Sequence, residues 1–290
     1  MAGHNRLVVC ALSLLVALAA VSGASAQSGG TATLKSLTGD TLQPAFEGWE
    51  KNPDGTYNMW FGYFNRNWAQ ELNIPVGPNN NVQPGGPDRG QPEFFQTGER
   101  KRRQMFAFKV VVPANWPVDR DLVWTVTTNG TPLKAYASLR PDYMVDVNVF
   151  SANRGAQRDT DPTVKNNPPI ITEAPKDQTV AVGTPLVLKM AVTDDGKPKP
   201  FREFDRGAVE GSAMNLRSLL RVSWFQWRGP GRVKFDPESV PITDAAGVNS
   251  RDGGSATTKA IFDKPGTYVV MAYAEDMSLF VPYTFTVTVK

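Results

Sequence analysis

Residues 261–290 read IFDKPGTYVVMAYAEDMSLFVPYTFTVTVK, and they decide the fold. Pro265-Gly266 predicts an entry turn, and residues 267–274 (TYVVMAYA) are β-branched and aromatic enough to form a strand. Glu275-Asp276-Met277-Ser278 interrupts that strand. Residues 280–289 then return with Tyr283, Phe285, Val287 and Val289 on one side and Thr284, Thr286 and Thr288 on the other. Such period-2 alternation marks a half-buried strand, so the stretch is an antiparallel hairpin with an acidic loop.

Working outward, turn-bounded strands are predicted at 179–182, 186–192, 222–227, 233–235 and 257–262. With the hairpin they make about seven, as an immunoglobulin-like sandwich requires. Residues 197–220 are an insertion, in which 213–220 (AMNLRSLL) has the pattern of one or two helical turns. Residues 151–169 lack periodicity and form the predicted linker. Before it, strands are predicted at 57–65 (YNMWFGYFN, apolar on both sides), 103–112, 122–128 and 132–139, with 142–150 closing the sheet. Asn129-Gly130 is a two-residue hairpin turn. Residues 65–98 hold many Pro, Asn and Gly in one long irregular segment, which is often functional when ordered. The expected class is therefore mainly β, two antiparallel β-sandwich (immunoglobulin-like) domains at 37–150 and 170–290.

The first 26 residues stand apart. His4 and Arg6 open a short apolar run, and Ala24-Ser25-Ala26 is a small-residue cleavage site, so 1–26 reads as a secretory signal peptide followed by a flexible lead at 27–36. The expected product is secreted, periplasmic or on the cell surface, with no transmembrane segment after cleavage. Losing Arg6 leaves 30 basic residues against 28 acidic ones, a near neutrality that argues against a nucleic-acid partner. The only histidine is His4 and the only cysteine Cys10, both in the signal. A processed chain thus has no Ser-His-Asp triad, cysteine nucleophile, histidine metal site or disulfide.

Val222-Ser223-Trp224 on the third strand, Pro265-Gly266-Thr267-Tyr268-Val269-Val270 entering the sixth, and the closing Phe285-Thr286-Val287-Thr288-Val289 resemble the bacterial relatives of immunoglobulin, polycystic-kidney-disease and cadherin domains. The resemblance implies that Trp224 is the core tryptophan and Tyr268 the corner tyrosine. The cysteine pair of antibody-type domains is missing. In the first half, Glu47-Gly48-Trp49, Asn52-Pro53-Asp54-Gly55, Phe61-Gly62-Tyr63 and Ile74-Pro75-Val76-Gly77-Pro78 resemble segments of exported bacterial proteins of an uncharacterised family. That likeness implies an envelope or extracellular setting and no reaction.

Two constellations could bind. Trp49, Tyr57, Trp60, Phe61, Tyr63, Phe64 and Trp68 could stack on sugar rings, although most are expected to be core. Tyr63 and Trp68, with Arg66 and Asn67, are the expected ligand-contacting exceptions. Asp194, Asp195, Asp252, Glu275 and Asp276 fall on loops that gather at one end of such a sandwich, where they could hold Ca²⁺ or simply make turns. No cofactor is expected, with calcium as the alternative. The basic run Glu99-Arg100-Lys101-Arg102-Arg103 could meet an anionic polymer or guard a strand edge. Glu71, Asp88 and Glu93 lie near the aromatics, so a glycosidase is the enzymatic alternative. The expected function is non-catalytic binding or adhesion to a glycan or an envelope protein, the other alternative being a structural spacer.

Overall fold

A computed structural model describes residues 36–98, 101–153, 166–197, 220–247, 249–250, 252–276 and 278–290. The expected signal peptide, nearly all of the lead, the middle of the linker and the helical turns of the insertion lie outside these residues. Strands dominate the rest. Among the described residues, helix is limited to a 3₁₀ turn, Pro141–Tyr143, and one short helix, and no helix is long and apolar enough to cross a membrane.

The first half is a small antiparallel sandwich. β1 (Leu42–Lys51) pairs with β2 (Tyr57–Asn65), and β2 pairs with β6 (Arg103–Val112). The facing sheet orders β4 (Asn80–Gln83), β7 (Leu122–Thr128) and β8 (Thr131–Ala137) as β4-β7-β8, while β3 (Leu72–Asn73) and β5 (Phe94–Phe95) make a two-stranded ribbon. Asn129 and Gly130, at φ 51° and 74°, make the β7–β8 turn as the sequence predicts. β2 is apolar on both sides because it is central and covered twice. Met59, Phe61 and Tyr63 meet Phe108 and Trp124 between the sheets, whereas Trp60 points to the other face.

The expected strand at 142–150 is instead the 3₁₀ turn followed by helix α1 (Val147–Asn153). Asp146 decides this locally. Its Oδ1 accepts from the backbone N–H groups of Asn148 (2.9 Å) and Val149 (3.0 Å), which is N-cap geometry. The chain reaches that helix by running alongside β1. Gly48, at φ 125°, makes the passage possible, since a Cβ there would lie 2.6 Å from the Tyr143 carbonyl oxygen.

The second half carries the terminal hairpin. Its sheets order as β9 (Ile170–Glu173), β11 (Leu186–Thr193), β15 (Gly253–Phe262), β13 (Val233–Asp236), and as β10 (Gln178–Val180), β17 (Phe280–Val289), β16 (Gly266–Glu275), β12 (Arg221–Arg228), β14 (Ser239–Pro241). Strands β9, β11 and β15 match A, B and E, and β10, β17, β16 and β12 match A′, G, F and C of an immunoglobulin-like sandwich; β13 at the D position precedes β14 at the C′ position, the reverse of the usual chain order. Two of its strands change sheets. β9 leads to β10 across Pro175, and β13 to β14 across Pro237, residues with no N–H to give to either ladder. Trp224 and Tyr268 are buried in the core, and the Tyr268 hydroxyl donates to the Lys264 carbonyl at 2.9 Å, closing a tyrosine corner.

The two sandwiches share apolar interior, and Ser36–Lys290 forms one compact unit. Trp227, Met271 and Tyr273, on the outer side of the β12/β16 sheet, belong to the core of the first sandwich. The Trp227 indole donates to the Gly90 carbonyl (3.0 Å), and the Tyr273 hydroxyl donates to that of Ala107 (2.9 Å). Arg228 grips Asp88 with two hydrogen bonds of 2.8 Å. A third cluster joins Trp60, Phe106 and Phe150 to Phe280 at the start of β17.

Candidate functional site

Residues 65–98 are ordered by their own amides. Asn80 donates to the Ile74 and Pro92 carbonyls and accepts from the Trp124 indole, all within 2.9 Å. Asn65 donates to the carbonyls of Gln70 and Gln96, and Gln91 to that of Pro87. Asn65, Asn67, Asn80 and Gln91 are all fully buried. An irregular segment cannot satisfy its backbone with ladders, so side-chain amides supply the missing partners.

Asn67, one of the four residues expected to contact a ligand, is drawn into the same network. Asn67 is bound to the Asp40 backbone at both ends of its amide, by the Asp40 N–H (2.7 Å) and to the Asp40 carbonyl (2.9 Å). Tyr63 is 3% exposed, packs edge-on against Phe95 (4.9 Å), and burial drives its phenol far above the usual range. The alternation that places Phe61 in the core places Tyr63 there too, and β5 closes over it. Trp68 is half-buried beneath the Arg102 guanidinium at 3.7 Å, which also lies 4.8 Å from the Phe64 ring. Of the four, only Arg66 is exposed, 3.7 Å from Asp40.

Of the basic run, Glu99 and Arg100 lie outside the described residues, and the other three are engaged within the fold. Besides Arg102 on Trp68, Arg103 reaches Glu47 across Gly62 at 2.6 Å, and Lys101 meets Glu238 of the second sandwich. The three carboxylates considered for hydrolysis are engaged as well. Glu71 pairs with Arg232, and Glu93 accepts the Val76 N–H. Hydrogen bonds from Arg228 hold the Asp88 carboxyl down at about 2, opposite to the shift a general acid needs. A cavity of about 10 Å³ between the sandwiches, bordered by Tyr63, Gln96, Gln104 and Tyr273, has room for a water molecule and no substrate.

Four of the five acidic residues meet at one end of the second sandwich. The Asp194 N–H donates to the Asp252 carbonyl, and the Asp252 carboxylate abuts Gly196. Asp195 accepts from the Asn167 side chain (2.9 Å), and Asp276, almost fully buried, accepts from Asn166 (2.9 Å) and from the Ser278 and Leu279 N–H groups (2.7 Å each). Burial and then the neighbouring Asp276 charge push Asp194 up to about 7, and burial raises Asp276. Glu275 turns away and accepts from the Ser223 hydroxyl (2.7 Å). Among the described residues no group of three His, Cys, Asp or Glu side chains is placed to hold a metal ion. The carboxylates serve as turn acceptors and fasten the end of the linker to the sandwich.

An exposed feature lies along β1, where Trp49 and Tyr57 of the aromatic group join Phe46, Tyr143 and Met144, which sequence reading did not single out. Phe46, Trp49 and Tyr57 each reach the core with one side and the surface with the other. Tyr143 stacks edge-on against Phe46 (5.4 Å), and Trp49 against Tyr57 (5.5 Å). Met144 pairs its backbone with Trp49, whose indole donates to the Arg140 carbonyl (2.8 Å). Tyr143 is 46% exposed, Met144 63% and the neighbouring Val147 46%. The result is a contiguous aromatic and methionine strip at the surface.

No family model matches the chain, and no curated protein is similar to it. Solved structures with which it aligns include the D0-D1 domain of Intimin, at 15% identity over 86% of this chain and 100% of that one, with a TM-score of 0.25. The N-terminal Ig1-2 module of Drosophila receptor protein tyrosine phosphatase DLAR aligns at 9% identity over 86% and 98%, TM-score 0.25. Domains 4 and 5 of the S-layer protein SbsC align at 10% identity over 59% of this chain and only 65% of that one, TM-score 0.24. Likeness at this level carries no argument, and the immunoglobulin-like assignment rests on strand order and the tyrosine corner.

Proposed function

We propose that the protein is an exported, non-catalytic binding module that presents the strip along β1 to a protein partner. The observation that carries this reading is the exposure of Tyr143, Met144 and Val147 beside Phe46, Trp49 and Tyr57. Aromatic residues and methionine are the types enriched at the centre of protein interfaces, where they fill pockets at low entropic cost. Methionine and valine beside the rings favour a protein over a sugar. The welding of the sandwiches supports the same reading, because a rigid support spares a partner the ordering cost of binding. Export rests on the signal-like first 26 residues.

The test is photo-crosslinking in the living source cell, with a benzophenone-bearing phenylalanine in place of Tyr143 and, as a control, of Tyr136. Tyr136 is 56% exposed on β8. A discrete protein adduct is expected from position 143 and not from 136, and Met144→Asp should abolish it. Equal adducts from both positions, or none from 143, refute the docking strip and leave the spacer reading.

A further inference from the structure

We infer that Met144 is an oxidant-sensing residue, converted by peroxide-class oxidants to the sulfoxide while the core methionines stay reduced. Met59 and Met190 are fully buried, Met271 is 6% exposed, and Met105 is half-buried against the Trp60–Phe106–Phe150 cluster. Met144 is 63% exposed, the one strongly exposed methionine among the described residues. No thiol competes for oxidant once the expected signal, with Cys10, is gone. Among the described residues of an exported chain, this sulfur is the most accessible two-electron donor.

The chemistry balances without a cofactor. The thioether lone pair attacks one peroxide oxygen and the O–O bond breaks. Sulfur is oxidised by two electrons to the sulfoxide, and the second oxygen leaves as water after taking the proton. A polar, chiral S=O then stands where a flexible apolar group stood. The fold does not depend on that side chain. The segment is held by its backbone, the Met144 N–H donating to the Pro141 carbonyl (3.1 Å) and the Val145 N–H to that of Trp49 (2.9 Å). Oxidation therefore changes the surface and leaves the sandwich intact. Its consequence for binding, loss of affinity at the strip, rests on the docking reading above.

The full chain is treated with graded hydrogen peroxide and mapped by peptide mass spectrometry. The Met144 peptide should gain one oxygen roughly tenfold or more faster than those of Met59, Met190 and Met271, with unchanged circular dichroism. Comparable rates at the core methionines, or a Met144 that stays reduced, overturn the inference. In the crosslinking assay, peroxide should remove the adduct from position 143, a methionine sulfoxide reductase should restore it, and Met144→Leu should be insensitive. An adduct from position 143 that persists, with Met144 unsubstituted, after that methionine is fully oxidised refutes the sensing role. If no adduct forms at all, the docking reading fails and the mass map alone decides the modification site.

Discussion

Trp227→Ala is the substitution that best tests how the two halves are joined. Trp227 belongs to β12 of the second sandwich, yet it is 6% exposed within the core of the first. Truncating a buried tryptophan costs about 3–5 kcal/mol through lost transfer energy and the cavity left behind. Removing the indole also leaves the Gly90 carbonyl without its 3.0 Å donor, adding about 1 kcal/mol. A total of about 4–6 kcal/mol is a large share of the roughly 5–15 kcal/mol that stabilises a domain. The core of the second sandwich, built from Trp224, Tyr268, Val270 and Phe285, does not include Trp227. The loss should therefore fall on the first half. Guanidinium unfolding followed by both tryptophan fluorescence and circular dichroism should give one coincident transition in the wild type. The variant should show an earlier transition for the first sandwich, separated from a later one. The half-buried Trp116, which donates only within its own loop to Arg120, is the control and should cost about 1 kcal/mol. A Trp227→Ala protein that loses less than about 1 kcal/mol and still unfolds in one step would refute the weld.

Tyr63→Ala should cost about 3–5 kcal/mol in the same assay, whereas Arg66→Ala should stay within about 0.5 kcal/mol, and a stable Tyr63→Ala protein would restore the surface reading of that ring. Asp88 carries a pH dependence of definite sign. Its pKa in the fold, about 2, lies below the ordinary 3.8, so its contribution is present above 3.8 and is lost as pH falls toward 2. The side chain is 53% exposed, so the effect is below about 1 kcal/mol, and the stability gap to Asp88→Asn should close between those pH values; a gap constant down to pH 2 contradicts the pairing with Arg228. Millimolar Ca²⁺ should leave the melting temperature where EDTA puts it, and a rise with Ca²⁺ would mean that the aspartates around Asp194 rearrange to bind the ion.

The terminal hairpin was legible because its information is local: alternation in residues 280–289 and the Pro265-Gly266 turn place β16 and β17 within about a residue of their observed ends. The roles of Tyr268 and Trp224 come from the resemblance to immunoglobulin-like domains, and the structure buries both. The helix at Val147 was misread because V-N-V-F alternates like a strand, although Asp146 one residue earlier is an N-cap signal. The candidate site was the least legible. Asparagines near aromatic rings suggest sugar contacts, but here they repay the backbone of an irregular segment, and only three-dimensional proximity distinguishes the two uses. The surface strip depends on the close passage over Gly48, which no periodicity encodes. The joint between the sandwiches did leave a trace. Residues 222–227 (VSWFQW) are apolar on both sides, the pattern that marked β2 as doubly covered, and it identifies β12 as doubly covered as well.

Phe280 closes the aromatic cluster around Trp60, two groups separated by most of the chain. Contacts of such long sequence separation form late, after the entropy of closing the intervening loop has been met. During synthesis, Trp60, Phe106 and Phe150 must wait for β17 to be made. A chain cut short before Phe280 would keep most of its first sandwich yet leave that cluster open to solvent. Closure of that cluster thus depends on β17, and aggregation of products cut before it is the behaviour it foretells.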